Sequence, residues 1–254
     1  MSKQTSKKVN KNVSNNCPRT LDDHIFYGLI LDEEQKQFRD CIWSDDYDVI
    51  FCDARAGTGK TLIAVATANL LYQFKNYDGI VYVVSPTQED RIGFLPGDPN
   101  EKVAPYMDPI KDALEKIEEL PDRLINQIDV QNLKEGTSYI DCISHLYLRG
   151  INFDNKIIII DEAQNMYLDE LQKTLTRTVD NCKMIVIGHA GQCDLYKNPI
   201  RSGFTFYKEW FKDEKRAAVC NLYTNHRGWI SRHADSLDVV ALCEFLEKNK
   251  NKPD

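Results

Sequence analysis

An α/β fold with a mainly parallel sheet flanked by helices is what this sequence predicts, and three observations carry it. Residues 49–52, 80–84, 157–160 and 183–187 form nearly continuous apolar runs, as parallel strands covered on both faces require. Segments of helical period separate these runs. Small, flexible or acidic residues follow them, at the strand carboxyl ends where such sheets carry their ligand crevice.

Taken in order, residues 1–18 are rich in Lys, Ser and Asn and are expected to form a disordered basic tail. That tail is a solvated terminus or a contact for nucleic acid. Asp32 is placed to N-cap a helix running to about Trp43, with Glu33 and Glu34 in its first turn. After the first strand, a helix is predicted over residues 60–74, apolar almost all round and therefore buried against the sheet. Residues 91–99 hold two prolines and two glycines, a loop long enough to be functional or mobile. Residues 103–119 read as helical, interrupted early by Pro105 and Pro109, and Pro121 opens a short helix. Residues 128–150 have a weaker pattern, with a strand near 139–143. A helix over 168–179 follows the third apolar run, with Leu171, Leu175 and Val179 on its buried stripe. Ser202 is placed to cap a helix over 203–211, residues 219–222 form a further strand, and residues 237–247 a last helix. Residues 249–254 are a polar tail, which leaves 19–248 as one domain.

The chemistry concentrates after the first strand, in Ala54-Arg55-Ala56-Gly57-Thr58-Gly59-Lys60-Thr61. This is a P-loop in its strand–loop–helix context. Ala56, Gly57, Thr58 and Gly59 let backbone N–H groups curl around an anion, and the helix start adds its positive end. Lys60 is placed to reach the β- and γ-phosphates, and the Thr61 hydroxyl to ligate Mg²⁺. The pattern departs at its first position, which is Ala54 rather than Gly. After the third run, Asp161 is placed to bind Mg²⁺ through water and Glu162 to polarise an attacking water, unless the pair caps the following helix. Gln192 follows the fourth run and is either a γ-phosphate sensor acting through water or a polar loop residue. Arg227 is a γ-phosphate contact or an arginine of a surface turn, with Arg232 a weaker candidate. His189 is assigned no role.

Composition narrows the partners. A formal net charge of −7 excludes a basic footprint over the whole surface, so any nucleic-acid contact needs a local patch or an inner channel. The eight cysteines include no pair at C-x₂₋₄-C spacing, which argues against zinc. Cys52, Cys142 and Cys220 lie in apolar runs and read as core residues. Residues 1–16 lack an apolar stretch after their lysines, and no run approaches a membrane span, so a cytoplasmic protein with no membrane contact is expected.

Four stretches together resemble the PhoH-like, phosphate-starvation-inducible ATPases. They are residues 54–61; Arg91–Asp98 with Glu101-Lys102 and Pro105-Tyr106; Arg149-Gly150; and Asp161-Glu162-Ala163-Gln164 followed by Gly188, Gln192 and Asp194-Leu195. The Gly-Phe-Leu-Pro-Gly-Asp stretch is the most specific of these. The Asp-Glu-Ala-Gln box, Ser85-Pro86-Thr87 and Asn225-His226-Arg227 also look like superfamily-one helicases. The resemblance implies a RecA-like core over 19–248, ATP and Mg²⁺ as ligands, ATP hydrolysis, and association with single-stranded RNA or DNA. It also implies that Gln35 pairs with the adenine edge, its carboxamide offering a donor and an acceptor, where the residues alone allow a surface glutamine. The family usually has Asp where His189 stands and Pro where Arg55 stands.

A superfamily-one helicase closes its site between two lobes, whereas this length holds one P-loop lobe. A homo-oligomeric ring, with a hexamer as the first count to test, would let a neighbouring subunit supply the missing face, and Arg227 would act in cis or in trans. The rival reading is an ATP-dependent binding module or regulatory switch without unwinding. A small-molecule kinase fits less well, because the acidic pair suits water activation.

Overall fold

The computed structural model describes residues 17–85, 104–126, 137–148, 150–191 and 202–235. Helix α1 (Glu33–Trp43) leads into β1 (Val49–Ala54), α2 (Lys60–Phe74) and β2 (Ile80–Val84). Two short helices, α3 (Asp108–Lys116) and α4 (Pro121–Leu124), precede β3 (Ile140–Ser144). The chain continues through β4 (Ile157–Ile160), α5 (Leu168–Leu175), β5 (Lys183–Gly188), α6 (Gly203–Phe211), β6 (Ala217–Leu222) and α7 (Trp229–Asp235).

The strands form one six-stranded sheet in the order β3-β2-β4-β5-β1-β6, and every neighbouring pair is parallel. All strand carboxyl ends therefore emerge along one edge. From β1 the chain crosses to β2 on one side and, later, reaches β6 on the other, so β1 lies at the topological switch point.

The four isoleucines of β4 show how the core is divided. Ile157 and Ile159 face one layer with Phe38 and Ile42 of α1, Ile63 and Leu71 of α2, and Ile110 of α3. Ile158 and Ile160 face the other with Phe51, Leu171 and Phe204. An apolar run without alternation is needed because both faces are dry. Cys52, Cys142 and Cys220 are buried among these residues.

Several expectations are corrected. Pro109 does not interrupt a helix. It stands in the first turn of α3, where a missing N–H costs nothing, after a 3₁₀ turn over Ala104–Met107. Helix α5 stops at Leu175 rather than continuing to Val179: Phe153 N donates to Arg177 O at 2.7 Å and Val179 N to Phe153 O at 3.2 Å, so the backbone around residue 178 pairs with residue 153 as in a strand. Val179 is exposed in consequence. Ser202 occupies the N-cap of α6 but its hydroxyl makes no capping bond. Helix α7 was not foreseen. The helix expected over 237–247, the 91–99 loop and Arg149 lie outside the described residues.

At the opposite edge of the sheet, the buried Lys183 ammonium donates to Ser44 O at 2.6 Å and to Tyr47 O, pinning the α1–β1 turn. Burial, reinforced by nearby Lys75, lowers its pKa to about 8. An unfolded lysine keeps its proton to about 10.4. Between these values the unfolded chain binds more protons, so this site contributes stability that rises with pH. The stability of the wild type relative to Lys183→Met is expected to increase by roughly 2–4 kcal/mol from pH 7.5 to 10.5, measured by denaturant unfolding. A constant difference would contradict it.

Candidate nucleotide-binding site

At the carboxyl end of β1 the chain turns into α2 through residues 55–59. Gly57 and Gly59 have φ of +74° and +82°, a region that L side chains rarely adopt. Gly59 is the N-cap of α2, and no side chain caps that helix end. The first-turn amides have no intrahelical acceptor and suit an anion. The loop is braced from three sides. The Thr58 hydroxyl donates to Arg55 O at 2.9 Å, Gln35 Nε2 donates to Thr58 O at 2.8 Å, and His226 N donates to Gly57 O at 2.9 Å. Gln35 also closes the capping box of α1: its Oε1 accepts from Asp32 N at 3.1 Å, and its own N donates to Asp32 Oδ1 at 2.8 Å.

Asp161 and Glu162 follow β4 directly. The Asp161 carboxylate is buried and accepts three bonds: Thr61 Oγ1 at 3.0 Å and Tyr82 Oη at 2.5 Å on Oδ2, and Glu162 N at 2.8 Å on Oδ1. Burial, then the charge of Glu162, raises its pKa against the lowering effect of Tyr82 and Lys60. Burial and the neighbouring Asp161 carboxylate raise the Tyr82 phenol well above its ordinary range.

Glu162 is built differently. Its side chain is 47% exposed, and Oε1 lies 3.6 Å from Lys60 Nζ. Its backbone is left-handed at φ +52°, a costly conformation for a non-glycine residue and one that recurs at functional sites. It makes no side-chain cap of the following 3₁₀ turn, so the capping alternative is not realised. Gln164 donates Nε2 to Glu162 Oε2 at 2.5 Å and accepts His189 N on Oε1 at 3.0 Å. Gly188 leaves room for it: a Cβ there would stand 2.8 Å from Gln164 Oε1.

The segment after β6 completes this face. Tyr223 N and Thr224 N donate to Glu34 Oε2, and His226 Nε2 meets Asp32 Oδ2 at 2.9 Å. Arg227 is exposed, yet its stem lies against the loop, where a Cβ on Gly57 would come within 2.8 Å of Arg227 Cγ. Residues 56–61, Gln35, Asp161, Glu162 and Arg227 therefore share one edge of the sheet. Gln192 lies outside the described residues. Sequence reasoning missed Tyr82, whose signal was a lone hydroxyl within the apolar run 80–84, and the bridging role of Gln164.

Among the described residues no group of three or more His, Cys, Asp or Glu side chains is suited to hold a metal. The paired oxygens of Thr61 and Asp161 fit Mg²⁺, a hard cation that takes few protein ligands and completes its shell with water and phosphate.

Sheet, loop and strand-end acids define a P-loop NTPase core of the RecA-like kind. The family model described as PhoH-like protein matches residues 30–239, and the chain belongs to this family of ATP-binding proteins. It is 34% identical over 172 residues to Protein PhoH of Escherichia coli (strain K12), covering 67% of this chain and 47% of that one. It is 35% identical over 213 residues to the PhoH-like protein of Synechocystis sp., covering 81% and 58%. The chain thus spans about half the length of the curated relatives it matches. The large terminase of a thermophilic bacteriophage superposes with a TM-score of 0.51 at 13% identity, over 81% of this chain and 50% of that one, a likeness of fold alone.

Gly57→Ala tests the loop geometry. Its new Cβ would collide with Asn225 Oδ1 and would also sit at positive φ. The variant should lose roughly 1–3 kcal/mol of stability and its affinity for a fluorescent ATP analogue. Retention of both would show that the loop does not hold this shape.

Proposed function

We propose that this chain hydrolyses ATP at the β1–α2 loop and couples turnover to binding or remodelling of single-stranded RNA or DNA. The observation that carries the reading is the convergence of Lys60, Thr61, Asp161 and Glu162 at the ends of β1 and β4. In this reading the amides of residues 57–61 cradle the phosphates, and Lys60 exchanges Glu162 for phosphate oxygens. Thr61 and Asp161 would hold Mg²⁺, which neutralises charge between the β- and γ-phosphates when bound. Glu162 orients the attacking water and takes its proton, with Gln164 fixing the carboxylate. Arg227 approaches the γ-phosphate, from its own chain or a neighbour's, and Gln192 reads the same phosphate through water. Gln35 keeps one N–H and one lone pair beyond its bonds to Thr58 and Asp32, enough to meet an adenine edge.

The nucleic-acid half of the proposal rests on the helicase-like motifs of the sequence. We also infer a homo-oligomeric ring, a hexamer as the first count, in which a neighbouring subunit adds a second face to the site. A second reading, a slow ATP-dependent switch, draws support from the Lys60–Glu162 pair at 3.6 Å, which occupies the base before substrate arrives.

Turnover measured with and without single-stranded RNA and DNA, alongside solution mass, decides between them. Stimulation in a species of several times 29.3 kDa is expected, a monomer with ATP bound counts against the ring, and an unresponsive rate favours the switch. Glu162→Gln should keep ATP bound and slow hydrolysis roughly 10²–10⁴-fold; undiminished turnover would remove Glu162 from its role.

A further inference from the structure

We propose that Tyr82 is a positioning residue for the divalent cation. Through Asp161 it holds Thr61 in the orientation that presents its oxygen to the metal. The inference rests on the reading of Thr61 and Asp161 as the Mg²⁺ site.

Tyr82 stands in the middle of β2, between Ile159 of β4 and Cys142 of β3 in register. It is 1% exposed, and its ring packs in the layer beneath α2. The other residues of β2 are Ile80, Val81, Val83 and Val84, so core filling alone explains an apolar side chain here and not a phenol. The hydroxyl reaches past the end of β4 and donates to Asp161 Oδ2 at 2.5 Å. That oxygen also accepts from Thr61 Oγ1 at 3.0 Å. A hydroxyl carries one proton and two lone pairs. By giving its proton to Asp161, Thr61 keeps both lone pairs for a cation and for the solvent side of the site.

The relay runs from Tyr82 to Asp161 to Thr61, and its far end is the rigid one. A buried phenol has two torsions and neighbours on every side, whereas a carboxylate supported only by Thr61 and by Glu162 N would turn about its last bond. Replacing the phenol by phenylalanine keeps the ring and removes one of the two donors on Oδ2. Partners that orient a metal's ligands typically contribute 10–100-fold to metal affinity.

The test titrates Mg²⁺ into the full chain with a fluorescent ATP analogue and reads nucleotide binding, not turnover. Tyr82→Phe should raise half-saturating Mg²⁺ about tenfold and leave metal-free nucleotide affinity within about twofold of wild type. Asp161→Asn should also raise it, and the Tyr82→Phe/Asp161→Asn double variant should match Asp161→Asn, because Tyr82 acts only through that carboxylate. If Asp161→Asn shifts the midpoint and Tyr82→Phe does not, the inference fails while the metal site stands. If Asp161→Asn has no effect, the metal reading itself fails. Should Tyr82→Phe not fold, a ¹³Cζ label at Tyr82 of the wild type serves instead. Its resonance should move on adding Mg²⁺ with nucleotide and stay in place with nucleotide and EDTA; no movement in either overturns the proposal.

Discussion

A loop suited to bind phosphate through its backbone has to stay rigid without spending the N–H groups such binding needs. Here the rigidity comes from its carbonyls. Arg55 O, Gly57 O and Thr58 O each accept a bond, from Thr58, His226 and Gln35 respectively. Three separate parts of the chain thus converge on this short stretch of peptide units: the loop itself, the segment after β6, and α1. The two positive-φ glycines turn the carbonyls outward to these donors. Any Cβ at Gly57 would collide with the outer brace, so the same residue type serves both backbone conformation and close approach.

The sheet supplies the frame on which this bracing depends. Because all six strands are parallel, β1, β4 and β5 deliver their ends to one edge, and β5 separates the loop strand from the acid strand. That spacing brings Thr61 on α2 against Asp161 after β4, a contact across 100 residues of sequence. Dry packing on both faces keeps the strand ends from shifting relative to one another. Ile157–Ile160 alternate between the two core layers with none exposed. A parallel sheet cannot be assembled from local hairpins, so the site exists only once the long-range order is complete.

What could be read in the sequence was what repeats locally or obeys a strict pattern. The strands announced themselves because burial on both faces demands unbroken apolar runs, and the loop because few residues satisfy its backbone. Asp32 and Gln35 formed a legible cap, although nothing in their spacing said that Gln35 also grips Thr58 O. Boundaries decided by long-range backbone pairing were not legible: Thr176 and Thr178 are compatible with a continuing helix, and only the pairing of residues 177–179 with Phe153 ends it. Ser202 has the composition of a cap without the geometry. Tyr82 and Gln164 were hidden for a further reason. Each acts on a carboxylate at a strand end, and a one-dimensional reading sees the carboxylate before it sees its support.

The two adjacent carboxylates show how neighbouring residues of one chemical type acquire separate tasks. Asp161 is enclosed, and three donors fix both of its oxygens. Removing any one donor leaves a buried acceptor short, which costs more than the bond itself returns in water. It is suited to hold a fixed charge in a fixed place. Glu162 is half exposed, and its left-handed backbone swings its side chain out of the strand direction toward Lys60. Its neighbours, Lys60 and Gln164, contact it from opposite ends, one charged and on the phosphate loop, the other neutral and tied to the end of β5. In the proposed mechanism, exchange of the Lys60 partner would free one oxygen while Gln164 retains the other. The strained residue is therefore the one that would change partners in that mechanism, and the unstrained, triply bonded residue beside it is the one that would not.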